Sequence, residues 1–460
     1  MKKNVYEYKP LLISVLFMTV ILAFSCSPSA SGSSMFPVND PPPPVKKDPA
    51  LTLLVYMAAD NDLERYALEN LKAMENAVYE DIDVLVLLDR SEGYDETDGN
   101  WTDTRLFKVS HDENGNGGIV SSAIDCSPLN LSAGSSTELD MSNPSVLKKF
   151  IEFAKTDYKA TRYALIIWGH GTGWRYAYSE LGASSELRVS SELCGVPEPV
   201  EGPLQTDVRA IAIDDKTGSY MSVHDLGSAV EGQQLCVIGF DTCFGSTLET
   251  LYELKDCSEY VCASPGLTPS SGWDYKKLLE TISASDYSSL EIAKAMEKAG
   301  SAATAASDCS KYDALVLCFE DFAKELSQAI IDSATQKDTF ETLMNCTSYS
   351  YSQYPCDLFL DVAGLAGAYK TYQDTDLSQT CEALLAAVNA TAVSSKNPSF
   401  SVHFIPLTAR NTAAKVHNSD YLKNPASTDQ CAFIKQSNWW VPTLNGNSES
   451  LLDKIFYTSF

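Results

Sequence analysis

The chain has 460 residues, 44% of them hydrophobic and 21% charged, which is long enough for one large α/β domain with a smaller addition and too apolar for disorder throughout. Thirty-four basic residues against 61 acidic ones leave a formal charge of −27. Such a chain repels the phosphates of nucleic acid and suits cationic partners, whether basic peptides or metal ions.

The N-terminus has the layout of an export signal: Lys2, Lys3 and Lys9, an apolar run from Leu11 to Phe24, then Ser25-Cys26. The run is too short to span a bilayer comfortably. A cysteine directly after it resembles a bacterial lipoprotein cleavage site, with residues 1–25 removed and Cys26 becoming the lipidated N-terminus, although Ala23 stands where leucine is usual. The expected place is the bacterial cell envelope, periplasmic or surface-facing, with a lipid anchor in the membrane; plain secretion is the alternative. Residues 26–49, with four consecutive prolines at 41–44, read as a Ser/Pro-rich tether.

Strand-like runs follow at 51–57, 84–88, 105–109, 164–168, 210–213 and 235–240, with helical patterns between several of them. Residues 146–154 form one such helix, with Asn143 as its cap and Pro144 at its first position. This alternation predicts a three-layer α/β/α sandwich around a mostly parallel sheet. The run Asp112-Glu113-Asn114-Gly115-Asn116-Gly117 imitates the start of a calcium loop, but the twelfth position is Ala123 rather than a bidentate glutamate, so it reads as a turn.

Two segments carry the chemistry. Ala164 to Trp168 and Leu235 to Phe240 are short apolar runs bounded by glycine, as expected for central strands covered on both faces. They place His170 and Cys243 in loops at the carboxyl edge of the sheet, where the loops of an open α/β sheet leave a crevice. A thiol and an imidazole set there are a nucleophile and its base. Ser246 with Glu249 is a capping-box pattern, which predicts a helix N-terminus close enough to Cys243 to favour a thiolate. Glycines at 169, 171 and 173 offer backbone N–H groups to an oxyanion, Gly171 and Cys243 being the expected donors. His111, His224, His403 and His417 end no comparable strand, and neither a G-x-S-x-G elbow nor an H-E-x-x-H helix is present.

Between the two segments, residues 176–208 lose periodicity and accumulate Ser, Glu, Gly and Pro, as in a functional or inserted loop. Twelve cysteines besides Cys26 show no metal-like clustering; Cys257 with Cys262 is a conceivable disulfide, and Cys243 has to stay reduced to act. Helical stretches at 289–299, 312–334 and 357–370 and an aromatic tail with Trp439 and Trp440 follow, as covering elements or a small C-terminal subdomain.

The segments Trp168-Gly169-His170-Gly171 and Asp241-Thr242-Cys243 resemble the signatures of the clostripain family of cysteine peptidases, and so do LLVYMAADNDLE at 53–64, ASPGLTPSSGWDY at 263–275 and SVHFIP at 401–406. The resemblance implies the caspase-like version of the sandwich, spanning 50–300 with the 176–208 insertion, and a C-terminal extension over 301–460. It implies a cysteine endopeptidase in which His170 and Cys243 form a dyad, without a third orienting residue that the sequence identifies. It also implies cleavage of the chain between the two segments, with Arg188 the best-placed site, and protein or peptide substrates cut after Arg or Lys. Asp241 matches one acidic residue of such a specificity pocket. The second acidic position is Ser271, so one carboxylate is left to hold the cation unless Asp274 turns inward; Arg is then favoured over Lys, because a guanidinium can pair with Asp241 and also bond a hydroxyl. No cofactor is required for the chemistry. Calcium is needed by some relatives, and the sequence names no metal ligands. The rival readings are a catalytically dead scaffold acting as an envelope binding protein, a dyad enzyme of non-basic specificity, and an acyl or peptide transferase.

Overall fold

The computed structural model describes residues 48–77, 79–115, 117–134, 136–173, 211–214, 216–349, 358–371, 375–394, 400–404, 431–433, 437, 439 and 451. Cys26, the signal and tether segments, the 176–208 insertion and Arg188 lie outside them.

Five parallel strands form the centre of the sheet: β1 (Leu51–Ala59), β2 (Ile82–Arg90), β4 (Arg162–Trp168), β7 (Leu235–Asp241) and β8 (Ser258–Ala263). Antiparallel β3 (Thr104–Lys108) and β9 (Ala305–Asp308) close its two edges, giving the order β3-β2-β1-β4-β7-β8-β9. All nine residues of β1 are buried because the strand is covered on both sides, which is why it reads as a continuous apolar run rather than an alternating one. Its alternate residues enter two different cores. Leu54, Tyr56 and Ala58 join one core, and Leu53, Val55 and Met57 the other.

The second core is filled by α1 (Glu64–Glu75), α5 (Tyr275–Ser283) and α6 (Ser289–Ala299). The first takes α2 (Pro144–Asp157), α3 (Val223–Val230), α4 (Leu248–Glu253) and α7 (Tyr312–Ala329). The result is a three-layer α/β/α sandwich around a mostly parallel sheet, as the sequence predicts. Helix α2 begins as its sequence predicts, with Pro144 in its first turn and the Asn143 side chain accepting from Ser145 N–H at 2.9 Å.

The remaining elements are α8 (Ser333–Asn345), β10 (Ser348–Tyr349), β11 (Leu358–Asp361), α9 (Val362–Tyr369), α10 (Thr375–Thr391) and β12 (Ser401–Phe404). They extend the first core rather than building one of their own: Leu365, Leu384, Phe404 and Trp439 belong to the same cluster as Leu54. Strands β10, β11 and β12 form a small antiparallel sheet. It sits against the Cys243 loop, with Phe359 stacked on Phe244 at 4.8 Å and Ser401 bridged to Thr247.

Several expectations change. The 210–213 run is not a strand of the main sheet; β5 (Ile211–Asp214) pairs with β6 (Ser219–Met221) in a separate hairpin whose register shifts near Ala212, which has a φ of 50°. The helix expected over 312–334 stops at Ala329, because Ile330 is extended and the Asp332–Thr335 capping box starts a new helix. Residues 357–370 divide into β11 and α9 at Asp361, whose carboxylate accepts from Gly364 N–H at 2.7 Å. Cys257 and Cys262 form no disulfide with each other; Cys257 lies in the first core and Cys262 in the second, so the sheet separates them. Among the described residues no helix is long and apolar enough to cross a membrane.

Candidate active site

Strands β4 and β7 run side by side, and their last paired residues are Trp168 and Asp241. His170 and Cys243 each stand two residues beyond that pair, so register alone brings the two segments together at the carboxyl edge. Gly169 N–H donates to the Asp241 carbonyl at 3.4 Å, continuing the ladder one step into the loops. Gly171 then packs directly on the cysteine loop. A Cβ at 171 would meet the Cys243 carbonyl oxygen at 2.5 Å and Thr242 Cβ at 2.7 Å, so this crossing admits no side chain. Gly171 is also bridged to Ile211 at the start of β5.

The imidazole has a partner that sequence reasoning missed. His170 Nε2 lies 2.6 Å from Asp62 Oδ1, in the turn between β1 and α1. That hydrogen bond holds the Asp62 carboxyl below the usual carboxylate range. An ionised carboxylate can only accept, so Nε2 carries the proton and Nδ1 is the nitrogen left to exchange one with a thiol. The available signal was the acidic turn Asp60-Asn61-Asp62, which follows the neighbouring strand β1 and therefore opens onto the same edge. Asn61 anchors this turn, its amide donating to the carbonyls of Ala58 and Ile213 at 3.0 and 3.2 Å. Asp62→Asn is expected to lower kcat about tenfold to a hundredfold with little change in KM, because the ring loses its orientation and not a substrate contact. Steady-state kinetics would reject this if kcat is unchanged.

Cys243 is partly exposed, and its surroundings differ from the expected helix terminus. Helix α4 starts at Leu248, capped by Thr247 accepting from Thr250 N–H, not by Ser246 and Glu249. Phe244, with a φ of 55°, turns the chain away, and Glu249 instead accepts from His403 N–H on β12 at 3.0 Å. Four residues separate the thiol from the helix, beyond the reach of its dipole. A different donor serves the sulfur: Thr268 N–H points at Cys243 Sγ from 3.3 Å and stabilises negative charge there. Burial pushes the Cys236, Cys257 and Cys309 thiols up to about 12.

Asp241 lies beneath this pair, 4% exposed. Its Oδ2 accepts from Trp273 N–H at 2.9 Å and Tyr275 O–H at 3.0 Å, while Oδ1 has no hydrogen-bond partner. Burial raises its carboxyl to about 7. Gly272, with a φ of 69°, lets the 264–274 loop pass over the carboxylate: a Cβ there would lie 2.7 Å from Oδ2. Asn70 on α1 fixes the loop, donating to the Ser271 carbonyl and accepting from Trp168 Nε1–H at 2.8 Å. Ser271 itself is exposed. Asp274 is exposed too, and its carboxylate caps α5 by accepting from Lys277 N–H at 3.0 Å, so the structure does not bring it to Asp241.

The loop that imitates a calcium site is an Asx turn, with Asp112 Oδ1 accepting from Asn114 and Gly115 N–H.

Compared with known proteins, residues 55–185 and 200–433 match the model of the clostripain family. The chain belongs to the clostripain family. Over 252 residues it is 26% identical to clostripain of Hathewaya histolytica, a match that takes in 52% of this chain and 43% of that protein. Two solved structures share the fold. The inactive zymogen of a C11 protease from Parabacteroides distasonis superposes with a TM-score of 0.55 at 17% identity, covering 85% of this chain and 99% of that one. A secreted C11 cysteine protease from Bacteroides thetaiotaomicron, in complex with an irreversible peptide inhibitor, gives 0.51 at 17% identity, covering 82% and 97%.

Proposed function

We propose that the chain is an exported cysteine endopeptidase that cuts after a basic residue, arginine before lysine. The observation that carries this is the shared register of β4 and β7, from which His170 and Cys243 emerge at one edge. His170 Nδ1 takes the thiol proton, and the thiolate adds to the scissile carbonyl carbon. Negative charge on the carbonyl oxygen is stabilised by the N–H groups of Gly171 and Cys243. Collapse breaks the C–N bond, the amine leaves with the proton from His170, and an acyl-enzyme thioester remains on Cys243. Water, deprotonated by the same imidazole, then releases the acid and restores the thiol. These steps ask no cofactor of the protein. Asp241 receives the basic side chain, with Ser271 at the rim.

The test is hydrolysis of arginine-containing peptides by the wild type and by Cys243→Ala and His170→Ala. If both variants keep most of the activity, the dyad reading is wrong.

The secreted Bacteroides relative supports export. The reading further holds that Cys26 carries lipid at the membrane and that Arg188 is the site of an activating cut, with protein or peptide substrates as partners and nucleic acid excluded by charge. Mass spectrometry of the purified mature chain reads both features. An unmodified start at or beyond Ser27 counts against the anchor, and a fully active single chain counts against the cut.

A further inference from the structure

The loops that follow β7 and β8 meet in one register. Ser246 N–H donates to the Ser264 carbonyl at 3.0 Å, and Phe244 N–H to the Gly266 carbonyl at 2.9 Å. Each contact steps two residues back along one segment and two forward along the other, the spacing of an antiparallel ladder. The next rung in that register pairs Thr242 with Thr268. Its acceptor, the Thr242 carbonyl, is taken by the Thr268 hydroxyl at 2.8 Å rather than by the Thr268 backbone. The Thr268 N–H turns instead to Cys243 Sγ, 3.3 Å away.

One backbone N–H therefore faces two acceptors, and the hydroxyl decides between them. A carbonyl oxygen is a strong acceptor and a thiol sulfur a weak one. Without the hydroxyl the Thr242 carbonyl lacks this donor, and the Thr268 N–H can supply it by turning away from the sulfur. The flanking chain is held. A Cβ at Gly266 would lie 2.8 Å from Tyr349 Cδ1 on β10, and Asn70 holds the Ser271 carbonyl at 2.9 Å. Leu267 is 50% exposed, which leaves the peptide unit between it and Thr268 room to rotate. The Thr268 carbonyl also approaches the sulfur, at 3.8 Å, where it suits a protonated thiol. The N–H contact is the shorter and favours the thiolate.

We infer that Thr268 is a positioning residue for the nucleophile: its hydroxyl occupies the Thr242 carbonyl and so reserves its backbone N–H for the Cys243 sulfur. The inference rests on the reading of Cys243 as the nucleophile, yet the two fail separately. Alkylation reads the sulfur without asking for peptide cleavage, whereas hydrolysis that survives Cys243→Ala sinks the peptidase reading and leaves the hold of Thr268 on the sulfur to be measured. The titratable groups on the segments around the sulfur are His170 with Asp62 behind it, Asp241 with Tyr275 beneath, Tyr349 on β10, and Glu249 with His403 where α4 meets β12. Substitution at 268 leaves all of them in place, so a changed pH profile belongs to Thr268.

In the purified mature chain, iodoacetamide alkylation of Cys243 is followed from about pH 5.5 to 9.5, with the modified peptide quantified by mass spectrometry so that other thiols are counted apart. Thr268→Val keeps the β-branched shape and loses the hydroxyl; it should react at least about threefold more slowly than the wild type near pH 6. At the alkaline end, where the sulfur is ionised in both, it should react at least as fast, because a less stabilised thiolate is the better nucleophile. Thr268→Ser retains the hydroxyl and should follow the wild type at every pH. Thr268 is only partly buried, so folding should survive; if Thr268→Val does not fold, Thr268→Ala is held to the same expectation. The inference is overturned if the profile of Thr268→Val coincides with that of the wild type, if it is lower by one constant factor at every pH, as a loosened loop would make it, or if Thr268→Ser behaves as Thr268→Val does.

Discussion

Cys243→Ala and His170→Ala are each expected to reduce kcat/KM for peptide hydrolysis at least about a thousandfold, and the double variant is expected to be hardly worse than either. Non-additivity follows because the two groups act as one unit. Without the imidazole the thiol keeps its proton at the moment of attack, and without the thiol the imidazole has nothing to activate. Folding should be almost untouched. Both side chains are only partly buried, and Cys243 packs against the first core without being enclosed in it, so thermal unfolding should shift by no more than about 1 kcal/mol. A loss of activity with a matching loss of stability would instead make either residue structural. Labelling separates the two cases further. A peptidyl electrophile should modify Cys243 and spare Cys236, Cys257 and Cys309, whose burial keeps them as inert thiols. In His170→Ala the labelling should slow by a similar factor to hydrolysis. Labelling of a buried cysteine in preference to Cys243 would refute the assignment.

How much of this site was legible in the chain depends on how local its causes are. Trp168-Gly169-His170-Gly171 and Asp241-Thr242-Cys243 each end a buried parallel strand, and such strands announce themselves as apolar runs closed by glycine. Their adjacency is a matter of topology, which the two runs do not contain; the β1–β4–β7 order supplies it. Asp62 was hidden for the same reason, being 108 residues before its partner in the chain. The capping pattern at Ser246 misled because Ser246 N–H bonds the Ser264 carbonyl and Phe244 turns left-handed, which delays the helix by a residue. Strands β8 and β9 escaped notice because β8 alternates only partly and β9 reads Ala-Ala-Ser-Asp, with no apolar signature. β9 belongs to the peptidase sheet although it lies past residue 300, and the C-terminal helices fill the core under α7. Tertiary burial decides such segments, and local pattern does not record it.

The preference for basic substrates should switch with pH around the titration of Asp241. Its carboxyl stands at about 7 because it is buried, with Trp273 N–H and Tyr275 O–H opposing the shift. Those two groups, with Asn70 and Trp168 across Gly272, are what face it, and none carries a charge. Below pH 7 the group is protonated in the free enzyme and offers a guanidinium no counter-charge; above it the carboxylate is ready. A bound arginine would hold the group ionised, so the effect belongs in kcat/KM and not in kcat. The ratio of kcat/KM for an arginine substrate to that for a leucine substrate should therefore rise about tenfold per pH unit on the acid side of 7 and level off above it. Taking the ratio cancels the titration of the dyad, which both substrates share. Asp241→Asn should flatten the curve and lower the plateau about a hundredfold, since it removes one partner of a desolvated charge pair. Linkage fixes a second sign. A folded-state pKa above the unfolded value means that folding takes up a proton, so wild-type stability falls as pH rises from about 4 towards 7, and Asp241→Asn should lack that loss. A ratio that is flat from pH 5.5 to 8 in the wild type, or unchanged in Asp241→Asn, would show that the carboxylate supports the cysteine loop and does not receive the substrate.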